Sequence, residues 1–211
     1  KYEALASEIK EKADALVVIG IGGSNQAARA VYEALGQKNN VEIIWAGNSI
    51  SAYSINEVLA KLEGKKNVYV DCIAKNFETL EPGISFRVMR EFLRKKYGDS
   101  YYDHVIVTFT ENTPSWRMAE EKGYKILPFP MNIGGRFTAL SPICLFPLAV
   151  AGFDIRKMSN GAEEMERSLK NDDSIDNIAL RYATARTMLK ENGKTVELLS
   201  YFEPRFFRFA K

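Results

Sequence analysis

Histidine and cysteine are scarce: one histidine, His104, and two cysteines, Cys72 and Cys144, in 211 residues. With no His/Cys cluster there is no basis for a zinc site, and none for another metal. The two cysteines lie far apart in apolar surroundings and read as buried, reduced thiols of a cytosolic protein. His104 opens a strand-like run and reads as structural. Charge of one sign is also missing: 29 basic residues face 27 acidic ones, a net +2 that makes no case for nucleic acid or an anionic membrane as partner. The longest apolar stretch, Ile143–Ala151, contains Pro147 and is too short to span a bilayer. No basic-then-apolar signal segment opens the chain. The expected location is cytoplasmic.

What is present is a regular alternation. Apolar runs at Ala15–Gly20, Val41–Ala46, Asn67–Ile73, Asp103–Phe109 and Tyr124–Phe129 alternate with amphipathic segments at 24–35, 52–62, 82–97 and 114–122. Near-continuous Val/Ile runs indicate strands buried on both faces, hence a parallel sheet covered by helices. Five such units predict an α/β fold, a three-layer αβα sandwich with right-handed crossovers. After Pro130 the pattern changes. Residues 137–151, 155–170 and 175–192 read as helices, 195–201 as a strand and 203 onward as a helix. The expected organisation is an α/β domain over 1–153 and a helical C-terminal extension over 154–211. Both termini fall inside helical patterns, so the chain is read as a piece of a longer protein.

The first strand runs into Gly20-Ile21-Gly22-Gly23-Ser24-Asn25. A dinucleotide fingerprint needs glycine at position 25 and an acid ending the second strand; the chain has Asn25 and Trp45-Ala46-Gly47-Asn48-Ser49. A P-loop fails as well, because no Gly-Lys-Ser/Thr follows. What remains is an anion cradle. Gly22 and Gly23 admit close backbone approach, and Ser24 adds a hydroxyl beside the free N–H groups of a helix N-terminus. A tight turn without ligand is the alternative.

Two further loops belong to the same edge. The third strand leads into Ala74-Lys75-Asn76-Phe77-Glu78-Thr79, and in a doubly wound sheet the loops after strands one and three flank the ligand crevice. Lys75, Asn76 and Thr79 can therefore face the anion held by Ser24. Past the fifth strand, Gly134-Gly135-Arg136-Phe137 brings a fixed cation, Arg136, able to clamp a phosphate or steady a developing oxyanion. The alternatives are a solvated loop and a structural salt bridge.

These stretches, in this order, resemble the N-terminal sugar-isomerase (SIS) domain of the phosphoglucose isomerase family. GIGGS matches that family's first phosphate loop. MNIGGRFTALSPICLFPLAVAGFDIRKMSNGA, residues 131–162, resembles its G-G-R-[FY]-S-x-x-[ST] stretch and following helix. The resemblance covers essentially the whole chain and ends where the family's Q-x-x-x-E-S-x-G-K motif would follow. It implies an SIS-type sheet with flavodoxin-like strand order, and aldose–ketose isomerisation of sugar phosphates in glycolysis and gluconeogenesis without a cofactor. The whole protein would be a homodimer. By position, Gly23 and Ser24 match the family's first substrate-binding pair, with Gly22 beside them in the turn, and Arg136 matches the arginine that stabilises the enediolate. Residues 74–79 fall on the second phosphate loop, usually S-K-[ST]-[GF]-T-T. There Lys75, Phe77 and Thr79 fit, while Ala74 replaces a serine, Asn76 a hydroxyl residue and Glu78 a threonine. Ala74 and Glu78 are accordingly weak members, Phe77 is set with them although it fits the pattern, and a carboxylate facing a phosphate is repelled. Glu78 is expected to point away.

The resemblance places the family's base glutamate, histidine and lysine beyond Lys211, so this chain alone is expected to be inactive. Asp71, Glu81 and Glu111 lie near strand ends, and nothing marks one as a base. A non-catalytic sugar-phosphate-sensing SIS domain of a regulator is the competing reading.

Overall fold

The computed structural model describes residues 2–75 and 77–210. It opens with α1 (Tyr2–Lys12), and five strands follow: β1 (Ala15–Ile19), β2 (Glu42–Ala46), β3 (Val68–Ala74), β4 (Val105–Phe109) and β5 (Lys125–Pro128). They alternate with α2 (Gly23–Leu35), α3 (Ala52–Lys61), α4 (Leu80–Tyr97) and α5 (Pro114–Glu121), a 3₁₀ turn over Gly98–His104 preceding β4. All pairings are parallel and the order is β2-β1-β3-β4-β5. This is the flavodoxin-like doubly wound sheet, with its switch point between β1 and β3.

Each strand buries alternate residues against opposite helical layers, because successive side chains point to opposite faces. Val17, Ile19, Val70, Cys72, Val107 and Phe109 pack with Phe86, Met89 and Leu93 of α4 and Ala119 of α5. Leu16, Val18, Ile73 and Ile106 pack with Ile9 of α1 and with Ile143, Phe146 and Val150 of α6 (Pro142–Val150). Ala28 of α2 joins Cys144, Leu145 and Leu148 of α6 in a third cluster. Both thiols are buried and free, and burial pushes them up in pKa, Cys144 to about 12. His104 is structural: Nδ1 lies 3.0 Å from the Val68 carbonyl oxygen and the ring stacks on Tyr97 at 3.7 Å. The Tyr97 hydroxyl, in turn, donates to the Lys66 carbonyl and accepts from the Val68 N–H, both at 2.8 Å.

Beyond β5 three expectations change. The helix read over 137–151 is a 3₁₀ turn at Gly135–Phe137 followed by α6, which starts at Pro142 where proline's fixed φ suits the first turn. The third helix is shorter: α7 spans Ile155–Leu169 as expected, but α8 is confined to Ile178–Glu191. Asn177 starts it, its carboxamide oxygen accepting from the N–H groups of Ala179 and Leu180. The strand read over 195–201 is irregular and exposed; among the described residues no ladder partner lies beside it, and a strand exists only by pairing. The C-terminal α9 (Phe207–Ala210) turns back onto α2, where Arg208 Nε donates to Glu33 at 3.1 Å. No helix among the described residues is long and apolar enough to cross a membrane.

One buried acid stands out. Asp71 is wholly buried in mid-β3, not at the strand end. Thr108 Oγ1 donates to Oδ1 at 3.2 Å, and Oδ2 has no partner. Burial pushes its carboxyl up to about 7, the Thr108 bond opposing only in part. The folded chain therefore holds this proton more tightly than the unfolded one. The contribution of Asp71 to stability is full below about pH 4, is lost as pH rises to about 7, and then levels off. Asp71→Asn should abolish the decline and stabilise the protein at pH 8 by up to about 4 kcal/mol, three units at about 1.4 each. Urea denaturation at pH 5 and pH 8 measures it; parallel pH profiles for the two proteins would refute it.

Candidate functional site

The loops named above all leave the carboxyl edge of the sheet, and the structure packs the first against the third. β1 ends at Ile19, and the chain turns at Gly22, which sits at φ +57° as the N-cap of α2. Side-chain-bearing residues rarely adopt that conformation, so glycine is required by geometry. The carbonyl of Gly22 accepts from the N–H groups of Asn25 (3.0 Å) and Gln26 (2.8 Å), closing the first turn. Among the described residues no hydrogen bond engages the Ser24 side chain, which stays half-buried beside the first-turn N–H groups.

Gly23 has a different constraint. A Cβ there would stand 1.7 Å from the Gly135 carbonyl oxygen and 2.9 Å from the Arg136 nitrogen. The two glycine loops are thus packed backbone on backbone. Thr138 fastens them, its hydroxyl 3.1 Å from the Gly23 carbonyl oxygen and 2.8 Å from that of Gly135. Arg136 rises from this contact exposed, and among the described residues it makes no ion pair. The structural salt bridge considered for it is absent there.

The second loop leaves β3 one strand over. Ala74 is the buried last residue of the strand, level with Phe109 of β4, and Lys75 is exposed. Asn76 lies outside the described residues. Phe77, at φ +60°, turns its ring inward and meets Phe86 and Phe109 edge-on at 5.8 and 5.4 Å. It anchors the loop to the core. Holding a non-glycine residue at positive φ costs of order 1–3 kcal/mol, which the aromatic packing offsets. Glu78 is exposed. Thr79, exposed, is the N-cap of α4, and its hydroxyl makes no capping bond.

Asn25 goes beyond what sequence reading assigned. It is 1% exposed, yet neither polar atom of its amide has a partner, and the side-chain amide oxygen of Gln26 is likewise unpaired. Buried amides are nearly always satisfied, so this first turn of α2 carries unmet hydrogen-bonding capacity next to the cradle. The only sequence signal was negative: a polar residue where a helix packing on its strand favours glycine. None of the three acids considered is placed as a base by hydrogen bonding here. Asp71 is sealed in the sheet, Glu81 sits in the first turn of α4, and Glu111 lies exposed in the turn after β4.

Together these features define a doubly wound α/β protein with glycine loops and two helix N-termini gathered at the carboxyl edge of its sheet. A model of the phosphoglucose isomerase family matches residues 6–210, and the chain belongs to that family. It is 39% identical over 223 residues to the glucose-6-phosphate isomerase of Caldanaerobacter subterraneus, covering all of this chain and 49% of the relative. It is 37% identical to that of Acetivibrio thermocellus, covering 100% and 50%. Among solved structures, a hypothetical protein from Thermus thermophilus matches with a TM-score of 0.82 at 26% identity, over 90% of this chain and 45% of that one. A glucose-6-phosphate isomerase from Chlamydia trachomatis matches at 0.64 and 25% identity, over 74% and 29%. The chain spans about half the length of the curated relatives it matches.

The packed glycines generate a contrast. Gly23→Ala should cost about 1–3 kcal/mol, since neither backbone can yield 1.7 Å without displacing the loop. Gly135→Ala should cost under about 1 kcal/mol, because its Cβ would meet nothing within 4 Å. Thermal unfolding of both variants checks this; equal losses would refute the assignment of the contact to Gly23.

Proposed function

We propose that this chain is the sugar-phosphate-binding portion of an enzyme that interconverts glucose 6-phosphate and fructose 6-phosphate through a cis-enediolate. The observation that carries the reading is the docking of Gly135-Arg136 onto Gly23. It brings the backbone of Arg136, an exposed residue that makes no ion pair among the described residues, against a helix N-terminus built from Gly22, Gly23 and Ser24.

In this reading the phosphate dianion sits against the first-turn N–H groups of α2, with the Ser24 hydroxyl donating to it. Lys75, Thr79 and Asn76 approach from the second loop, Lys75 as a point charge. Ala74 and Phe77 serve the core instead, and Glu78 faces away. With the phosphate held, the sugar's C1 and C2 are positioned for one proton to move between them. Arg136 stabilises the oxyanion that forms as that proton leaves, a charge absent from the ground state. The base, and the acid for ring opening, come from the parent protein beyond these residues. Residues 1–153 form the α/β domain and 154–211 lead toward that remainder. The parent is a cytoplasmic homodimer working without a cofactor. Family membership across nearly the whole chain favours the isomerase over a regulatory sensor.

In the parent enzyme Arg136→Ala should lower kcat by about 10²–10³ with a smaller change in KM. Ser24→Ala should chiefly raise KM, by roughly tenfold for one charge-assisted bond. In the 211-residue chain, 6-phosphogluconate should shift the Ser24 and Thr79 amide resonances. Fructose 6-phosphate turnover by this chain, free of host isomerase, would refute its proposed incompleteness. Unmoved loop resonances would refute the cradle.

A further inference from the structure

Four cations gather away from this edge, on the outer side of α4. Arg87, Arg90 and Arg94 stand at i, i+3 and i+7, on one helical face. With Glu91, Tyr101 and Lys122 they line a concavity of about 200 Å³. Lys122 comes from the C-terminal end of α5 and Tyr101 from the 3₁₀ turn, so three separate elements build the recess. Among the described residues none of the four cations makes an ion pair. Glu91, the one acid, is 3.8 Å from Lys95, outside the recess lining. In a chain of net charge +2, four cations without ion pairs and one acid in one concavity are a marked local excess.

Helix electrostatics explains only part of it. Basic residues in the last turn offset the negative end of the helix dipole, which accounts for Arg94, Lys95 and Lys96. Arg87 and Arg90 lie further back, and Lys122 is on another element. Arg90 is also held in place: its guanidinium lies 4.9 Å from the Phe86 ring centre, and its Nε is buried without a hydrogen-bond partner. It sits next to Tyr124, whose hydroxyl lies 3.5 Å from that of Tyr101 at the recess wall. A pre-positioned guanidinium loses little freedom on binding and suits bidentate capture of a phosphate.

We propose that this recess is a second anion site, taking a linear di- or triphosphate group, inorganic or carried on a nucleoside. The span from Arg87 to Arg94 is about 10 Å of helix axis, suited to two or three linked phosphates rather than to a track along a nucleic acid. Each linked phosphate meets a separate cation, and Tyr101 offers a neutral donor. The site lies roughly 10–20 Å along α4 from its N-terminus, so it is distinct from the sugar-phosphate cradle. The proposal does not depend on the isomerase reading.

The test is an amide chemical-shift titration of the 211-residue chain with sodium triphosphate at low ionic strength, with ATP, without magnesium, as a second arm. Saturable shifts across residues 87–94 and at Lys122 are expected in the triphosphate arm. Affinity should fall at least tenfold in the Arg87→Gln/Arg94→Gln double variant, and about threefold in Lys122→Gln. A control variant at the exposed Lys190, Lys190→Gln, should leave it unchanged. If ATP binds at least tenfold tighter than triphosphate, the nucleoside is also read; equal affinity assigns recognition to the phosphates alone, and either result supports the site. Absence of saturable shifts on α4, shifts confined to residues 22–24, indifference to the double variant, or preferential binding of an RNA oligomer at this face would overturn it.

Discussion

The contact on which the site depends is the packing of two backbones, Gly23 against Gly135, 112 residues apart in the chain. Neither position could hold the other this closely if Gly23 carried a side chain. The Thr138 hydroxyl shares its contacts between both carbonyls, so the loop after β5 is fastened to the loop after β1. This single approach carries Arg136 from a helical tail to the switch point of the sheet. It also makes the first glycine of the cradle and the second do different work: Gly22 satisfies a positive φ, and Gly23 leaves room for a neighbour.

That contact requires a sheet edge presented in the right order. With β1 beside β3, and their following helices on opposite faces, two helix N-termini open toward one crevice. The strands beneath carry one buried acid, Asp71, bonded to Thr108, and burial pushes its carboxyl up to about 7. Phe77 supplies the other anchor. Its ring fills the corner between β4 and α4, which fixes the second loop at the cost of a strained backbone. Lys75, Glu78 and Thr79 remain exposed around that anchor. The cations on the outer side of α4 belong to none of this, which is why their lack of ion pairs among the described residues calls for a separate explanation.

Much of this was legible before any coordinates. Unbroken Val/Ile runs mark strands buried on both faces, and their boundaries differ from the observed ones by only a residue or two. Thr113-Pro114 announces α5, where Thr113 accepts from the Trp116 N–H. The dinucleotide alternative falls on Asn25 and the acid-free end of the second strand, and the P-loop on a missing Gly-Lys-Ser/Thr, because those chemistries need glycine, acid or lysine at fixed offsets. Less legible was the region after β5. The apolar pattern at 137–151 contains two segments, and only Pro142 shows where the helix begins. The alternation at 195–201 suggests a strand, but pattern alone cannot supply the partner that a strand requires.

Local sequence, then, determined the elements and the chemistry of each loop, since periodicity, caps and glycine turns act over a few residues. The tertiary structure decided which loops meet, because contact between Gly23 and Gly135 depends on strand order and crossover hand. It decided that Phe77 faces the core and that Asp71 is sealed away from any ligand. It also gathered Arg87, Arg90, Arg94 and Lys122 around one recess. Burial and proximity between distant segments are properties of the assembled sheet and its helices, and no short stretch of residues contains them.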